Sequence, residues 1–460
     1  MSRFQNIFDG SLPAQCGVSD VFSFRRLDLG VGVLSGIGAH AKESGATRVL
    51  VVHDTRTREV AGEAVLQSLQ AEALEVSEWC IPDVDANHGP CADDETVDEA
   101  YSRAEGVDLL ISVGAGTVND VVKLAAHRRE LPFFSVPTAA SMNGYTSAIA
   151  AILSGGVKRT IPTGQVSAIF ADTSILRAAP KELTLAGFGD LVSKPYSNAC
   201  WYLSSIIAGG TRSDAPAALL DEPFKELLKH AKGIGAGEPA AMEALLETLL
   251  LSGCAMALAG SSSPASGGEH LISHYWDMVA HANGRPLRAL HGTQVGIATL
   301  VVGKLYAGIL AAENDFPSDV ERARQWPASD FVLESRVRGR HPELPEEVLN
   351  EVVKQSLQKY VDPSVHRERL WEIDRFWPDI RKTLTGMLIP YKEIETALKD
   401  AGALTDASAI GVDDEGLAHT VLVARDIRAR YTVLDLAEDL GIMGSFCDMI
   451  RKGMLSNWAS

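Results

Sequence analysis

His270 and His274 stand four residues apart in a segment with helical spacing, so both imidazoles project from one helix face, and His291 follows after a break that contains Gly284 and Pro286. Three imidazoles within reach of one another suggest a metal site. A borderline divalent ion takes imidazole nitrogen readily, and a catalytic ion uses three protein ligands and keeps one position open. The surrounding stretch, SSSPASGGEHLISHYWDMVAHANGRPLRALHG from Ser261 to Gly292, carries more candidate chemistry than any other part of the chain. The competing reading is a set of polar histidines at helix ends. A lone histidine would take that reading, whereas a cluster flanked by Ser and Gly punctuation points to a metal.

Such a site needs a scaffold, and the first third of the chain supplies the pattern of a parallel sheet covered by helices. The clearest predicted strands are Arg48 to Val52, Asp108 to Val113 and Phe133 to Val136, each closing in a polar or Gly-rich turn. Ligands of parallel sheets bind at the carboxyl ends of such strands. The first strand runs into His53-Asp54-Thr55, where a carboxylate can accept hydrogen bonds from a ribose or cap a helix. The second runs into GAGTVNDVVK from Gly114 to Lys123, whose small residues let backbone approach a ligand and whose helix start offers N–H groups to a pyrophosphate. The third runs into PTAASMNGYTS from Pro137 to Ser147, rich in hydroxyl and amide groups.

From about Ala171-Asp172-Thr173 onward long helical periodicity takes over, as in 241–256, 298–311 and 419–440. A boundary at 172/173 therefore divides an α/β nucleotide-binding domain, 1–172, from a helical metal- and substrate-binding domain, 173–460. Asp190, in GFGDLVSK, is expected to open a helix, with Lys194 one turn further along the same face. The charged region 316–381, with WPASDF, RVRGRHPELPEE and RFWPDI, reads as a surface elaboration of solvated helices.

Composition excludes several partners. The formal net charge of -18 repels phosphate backbones and anionic membranes, so neither nucleic acid nor lipid is expected. Six cysteines without CxxC spacing argue against a disulfide framework or a thiolate zinc site and fit a reducing cytoplasm. The apolar segment 295–312 is interrupted by Lys304 and glycines and is expected to be a buried helix.

Taken together, GAGTVNDVVK, PTAASMNGYTS, ADTSILRAAP, GFGDLVSK, SSSPASGGEHLISHYWDM and LHGTQVGIATL resemble the sn-glycerol-1-phosphate dehydrogenase family, within the wider group of glycerol dehydrogenases, iron-containing alcohol dehydrogenases and dehydroquinate synthases. The resemblance runs from about Arg48 to ARDIRARYTVLDLAEDLGI. It implies a dehydroquinate synthase-like fold, a Rossmann-like α/β domain followed by an all-α domain. It also implies a metal triad of Asp190, His270 and His291, with His274 as a nearby non-ligand histidine. NAD(H) or NADP(H) is implied along Gly114, Gly116, Thr117 and Asp120 and the loop residues Thr138, Ser141, Asn143 and Ser147, with Asp54 near the adenosine ribose. Two positions depart from the family pattern: Asn143 where many relatives carry Asp, and Ala199-Cys200-Trp201 where they tend to read ADW.

The implied reaction is hydride transfer between nicotinamide and dihydroxyacetone phosphate or sn-glycerol 1-phosphate, in a homo-oligomer holding one divalent ion, zinc expected before nickel or iron. His274 would relay a proton or hold substrate. Lys194, with Lys158 and Arg159 behind it, would meet the substrate phosphate. The alternatives are a dehydrogenase of another polyol or small carbonyl compound, a sugar-phosphate cyclase, and a non-catalytic nucleotide-binding protein.

Overall fold

Runs of β-branched and aliphatic residues build a six-stranded sheet in the computed structural model, which describes residues 2–20, 22–85, 89–154, 157–312, 316–455 and 458. Strands β1 (Arg26–Gly30), β2 (Arg48–Asp54), β3 (Glu75–Ile81), β4 (Leu109–Gly114), β5 (Phe133–Pro137) and β8 (Ala168–Asp172) pair in the order β1-β8-β5-β4-β2-β3, all parallel, while β6 (Ile149–Ser154) and β7 (Val157–Pro162) form a separate antiparallel hairpin. Every position of β4, β5 and β8 is buried, which is why these strands read as continuous rather than alternating apolar runs. His53 is in register with Val113 and Gly114 with Pro137, so β2, β4 and β5 end together and their following loops share one edge. The three strands expected from sequence are present, joined by β1, β3 and β8.

The chain divides into two compact units. The first comprises Met1–Leu191, Ser213–Ser262 and Asp400–Gly402 and contains the sheet. It also keeps helices α1 (Gly116–Arg129), α2 (Lys181–Leu191) and α4 (Pro239–Ala259), α3 (Lys194–Ile207) belonging to the second unit. Packing thus groups α2 and α4, which lie beyond residue 172, with the sheet. Glycines explain it: a Cβ on Gly187 of α2 would stand 1.9 Å from the Ala140 carbonyl oxygen, and one on Gly253 of α4 would stand 2.1 Å from Thr146 Oγ1. Both helices close onto the loop after β5 at distances only glycine permits.

The second unit, Val192–Arg212, Ser263–Lys399 and Ala403–Ser460, is helical. The candidate-site histidines lie on its helices α5 (Gly268–Ala282) and α6 (His291–Ala311). The helices α4 and α6 are each long and apolar enough to cross a membrane, with mean hydropathy 1.5, yet 83% and 78% of their apolar windows are buried inside the protein.

Three sequence expectations are corrected. Asp190 does not open a helix; it is the penultimate residue of α2, and Lys194 starts α3, because Pro195 lacks the N–H that would continue α2. The two side chains therefore do not share a helix face. The 419–440 stretch is not one helix: α11 (Asp414–Val423) gives way to a 3₁₀ turn at Ala424–Ile427, and α12 (Val433–Asp439) restarts at a capping box between Thr432 and Asp435. The region 316–381 forms α7 (Asp319–Gln325), α8 (Asp330–Arg340), α9 (Glu346–Lys359) and α10 (Pro363–Met387), and it is not merely solvated, since Arg322, His341, His366 and Trp377 are all buried.

Candidate metal centre and nucleotide site

The start of α5 and the start of α6 bring three imidazoles into mutual contact. Ring centroids of His270 and His291 are 5.3 Å apart, those of His274 and His291 also 5.3 Å, and those of His270 and His274 5.9 Å. The i,i+4 spacing places His270 and His274 on one face, and the break at 283–290 returns the chain so that His291 falls in the first turn of α6.

Hydrogen bonds fix which nitrogen each ring presents. His270 Nδ1 lies 2.9 Å from Glu269 Oε1, an acceptor that also takes Ser197 Oγ at 2.7 Å and Gly267 N at 2.8 Å. Glu269 is fully buried. Burial alone would raise its carboxyl pKa, but the hydrogen bond and charge of His270 and the Ser197 hydroxyl bring it below the ordinary carboxylate value. For His291 a directional chain does the same work. Gln294 Nε2 donates to Asp277 Oδ1 at 2.9 Å and to the Ala289 carbonyl at 2.9 Å, which leaves Gln294 Oε1 to accept from Ser273 Oγ at 3.4 Å. Ser273 Oγ, having donated, accepts from His291 Nδ1 at 3.2 Å. Both rings are thus Nδ1–H tautomers with Nε2 as the lone-pair donor, the arrangement in which an outer partner orients a metal-binding histidine.

The expected triad draws on both units: His270 and His291 stand together in the helical unit, and Asp190 is the penultimate, buried residue of α2 in the other. One buried carboxylate and two imidazoles suit a borderline divalent ion. His274 is beside the other two imidazoles and half-buried. Lys194 is buried at the head of α3, with Nζ donating to the Ala265 carbonyl at 3.0 Å and to Ser193 Oγ at 3.2 Å, so it ties down the SPAS turn that leads into α5. Arg159 is exposed on β7, and the Lys158 side chain lies outside the described residues.

The predicted nucleotide residues gather where β2, β4 and β5 end. A Cβ on Gly114 would come within 2.7 Å of Val118, so glycine is required for α1 to pack on its own strand. Helix α1 starts after Ala115, which has no side-chain acceptor to cap it, so the first-turn amides around Gly116 and Thr117 are left for another acceptor. Asp54 caps the helix that follows β2, with Oδ1 accepting from Arg56 N and Thr57 N, both at 2.8 Å. Asp120 Oδ2 accepts from Ala151 N at 3.0 Å, and Asn143 Nδ2 donates to Ser252 Oγ at 3.3 Å. Thr138 is buried and Ser141 half-buried at the mouth of the same loop. Ser147 is fully buried and donates to the carbonyls of Gly144 and Ile149, so it holds the loop from inside. Cys200 is buried beside Tyr306, its Sγ 3.3 Å from the tyrosine hydroxyl. No cysteine forms a disulfide.

Sequence reasoning singled out neither Glu269 nor the Asp277, Gln294 and Ser273 chain. An acid directly preceding a candidate ligand histidine was the available signal. Also missed was Arg430, whose Nη1 donates to the Ser266 carbonyl at 2.6 Å, and whose guanidinium pKa is pushed down to about 10 by burial and then by Arg428.

Comparison with known proteins identifies the family of the chain. The family model described as iron-containing alcohol dehydrogenase matches residues 28–180. The chain is 38% identical over 287 residues to an NAD(P)+ glycerol-1-phosphate dehydrogenase of Bacillus velezensis, covering 60% of this chain and 72% of that one. It is 28% identical over 437 residues to a protein of the same name from Geobacillus stearothermophilus, covering 94% and 97%. Among solved structures, a glycerol dehydrogenase from Schizosaccharomyces pombe shares the fold with a TM-score of 0.59 at 18% identity, over 95% of this chain and 93% of that one.

Proposed function

The chain belongs to the glycerol-1-phosphate dehydrogenase family, and from that membership we propose that it interconverts dihydroxyacetone phosphate and sn-glycerol 1-phosphate with NAD(P)H as hydride donor. Reduction consumes one hydride and one proton per carbonyl, and oxidation returns both. The observation that carries the reading is the contact of His270 with His291 at 5.3 Å, two imidazoles whose Nδ1 atoms are already engaged.

In this reading Asp190, His270 and His291 hold one divalent ion, zinc before nickel or iron. Bound there, the ion supplies Lewis acidity toward the oxygen that is carbonyl in one direction and alcohol in the other. Glu269 and Ser273 keep the two imidazoles in the required tautomer. His274 holds substrate or passes the proton that accompanies hydride transfer. The uncapped start of α1, with Gly114, Gly116 and Thr117, receives the pyrophosphate of NAD(H) or NADP(H), and Thr138, Ser141 and Asn143 line the loop beside it. Asp120 and Ser147 shape that loop. The Asp54 carboxylate favours NAD over NADP on charge grounds. Lys194 faces the substrate phosphate. Functionally, 1–172 serves the nucleotide and 173–460 the metal and substrate, in a cytoplasmic homo-oligomer.

Protein loaded with defined zinc, nickel or iron tests this by NADH and NADPH oxidation with phosphorylated and unphosphorylated carbonyl compounds. Turnover should be fastest with dihydroxyacetone phosphate. Preference for an unphosphorylated compound would replace the substrate while keeping the enzyme class. Asp190→Ala, His270→Ala and His291→Ala should each lose bound metal and nearly all turnover. Full metal occupancy in any of them removes that residue from the ligand set.

A further inference from the structure

The motif RVRGR, Arg336 to Arg340, belongs to none of the sites above. In α8 its arginines diverge. Arg338 turns outward to Glu334 at 2.8 Å and Glu346 at 3.0 Å, whereas Arg336 and Arg340, four residues apart on one face, line a cavity of about 190 Å³ within the helical unit. Lys359, Arg369 and Arg425 complete its cationic wall, and Trp326, Pro327, Leu333 and Tyr360 form an apolar side. The cavity equals the volume of about six waters, enough for a free phosphate or a triose phosphate.

The carboxylates on this wall are Asp426, Asp435 and Glu438, so five cations face three acids, a formal excess of two positive charges in a chain whose net charge is -18. Those acids are committed. Asp435 Oδ1 holds Lys359 at 2.8 Å and Arg425 at 3.0 Å, Asp426 takes His341 at 3.3 Å, and Glu438 lies between Arg340 at 3.8 Å and Arg425 at 3.6 Å. Among the described residues the carboxylate nearest Arg369 is Asp439, at 3.8 Å, an acid already bound by His366 at 3.0 Å and the Tyr431 hydroxyl at 2.7 Å. Arg336 has no carboxylate within 4 Å among the described residues. Its Nη2 donates to the Gln325 carbonyl at 3.0 Å. Burial, and then the like charge of Arg340, lower its pKa against the pull of Glu438 and Asp426, and an arriving anion would offset the repulsion between the arginines.

We propose that this cavity binds a phosphate dianion, either free phosphate or a small phosphomonoester, at a second site separate from the Asp190, His270 and His291 centre. The cationic excess of the wall attracts an anion, guanidinium groups match the oxygen geometry, and the aromatic side can cover the carbon skeleton of an ester. None of the residues proposed for metal, cofactor or substrate lines it.

Calorimetric titration of the full chain tests the proposal, with inorganic phosphate in one arm and dihydroxyacetone phosphate in the other. Wild type, Arg336→Gln, Arg369→Gln and the outward control Arg338→Gln are compared. Arg336→Gln and Arg369→Gln should each weaken one binding event at least about tenfold and leave turnover without added phosphate unchanged, while Arg338→Gln matches wild type. Saturation of that event by inorganic phosphate assigns the free anion, and saturation by the ester alone assigns a phosphomonoester. Should Arg336→Gln fail to fold, Arg369→Gln decides. Wild-type binding in the inward variants, or an equal loss in Arg338→Gln, overturns the second site.

Discussion

The Glu269 carboxylate lies 2.9 Å from Nδ1 of His270, its immediate neighbour in sequence, and is fully buried in doing so. Adjacent helical residues ordinarily diverge by about 100°, and here the first turn of α5 lets the acid fold back under Gly267 N and Ser197 Oγ. A Cβ on Gly267 would meet Glu269 Oε2 at 2.8 Å, so the fold-back also depends on glycine there.

Glu269→Gln keeps the volume and removes the charge that makes the His270 imidazole a better donor. Metal affinity, measured by chelator competition, should fall about 10- to 100-fold with the helical circular dichroism retained. Wild-type affinity in the variant would leave Glu269 a packing residue. Absence of metal from the wild-type protein would instead sink the metal centre itself, so the two failures can be told apart.

Gly116→Val should weaken NADH binding at least about tenfold in a fluorescence titration and leave metal content intact, because the branched side chain stands over the first-turn amides of α1. A single added Cβ meets the Met142 sulfur at 3.2 Å, a flexible neighbour that can yield, so Gly116→Ala should bind NADH more tightly than the valine variant. Equal, wild-type affinity in both would take the Gly-rich turn out of the cofactor site.

Lys194→Met should raise KM for dihydroxyacetone phosphate at least about tenfold, on the order of 1.4 kcal/mol, with little change for dihydroxyacetone. The alternative is already visible in its bond to the Ala265 carbonyl, which would make it a strut for the turn before α5. A strut predicts equal losses with both substrates.

Lys123 gives a pH test of the nucleotide unit. Its Nζ donates to the carbonyls of Gly144 and Ile149 and to Ser147 Oγ, with Asp120 at 3.8 Å, and burial pushes its pKa down to about 8 from an ordinary 10.5. The folded protein therefore sheds this proton before the unfolded chain does, so the cost of burying the charge is full below pH 8 and is relieved as pH rises toward 10.5. Lys123→Met should lower Tm at pH 7 by the equivalent of about 1–3 kcal/mol, since the carbonyls lose their donor. The gap between wild type and variant should widen between pH 8 and 10.5. A gap that stays flat over that window would mean Lys123 keeps its ordinary pKa.

The strands at Arg48, Leu109 and Phe133 were legible because fully buried parallel strands leave uninterrupted apolar runs, and the histidines because their spacing is a local property. Asp190 enters the proposed ligand set only through resemblance, since nothing in its own segment marks it as a ligand. Its helix was misread because GFGD resembles a helix start, whereas Pro195 five residues on is what sets the end. Composition alone also hid the inward arginines of α8, because a charged helix face looks the same whether it meets water or a cavity. The neutral-looking Gln294 and Ser273 could not be assigned, because their role is the direction of a hydrogen-bond chain.

Helix α6 packs against α12, and that has a consequence for synthesis at the ribosome. Its apolar stretch is complete at Ala311, and although α5 already lies against it, the part of its cover supplied by α12 begins only at Val433. At roughly 5–20 residues per second the nascent chain carries this membrane-like stretch without that cover for about 6–25 s. During that interval it is a substrate for holdase chaperones and a target for mistargeting, so production of this enzyme should be sensitive to their supply.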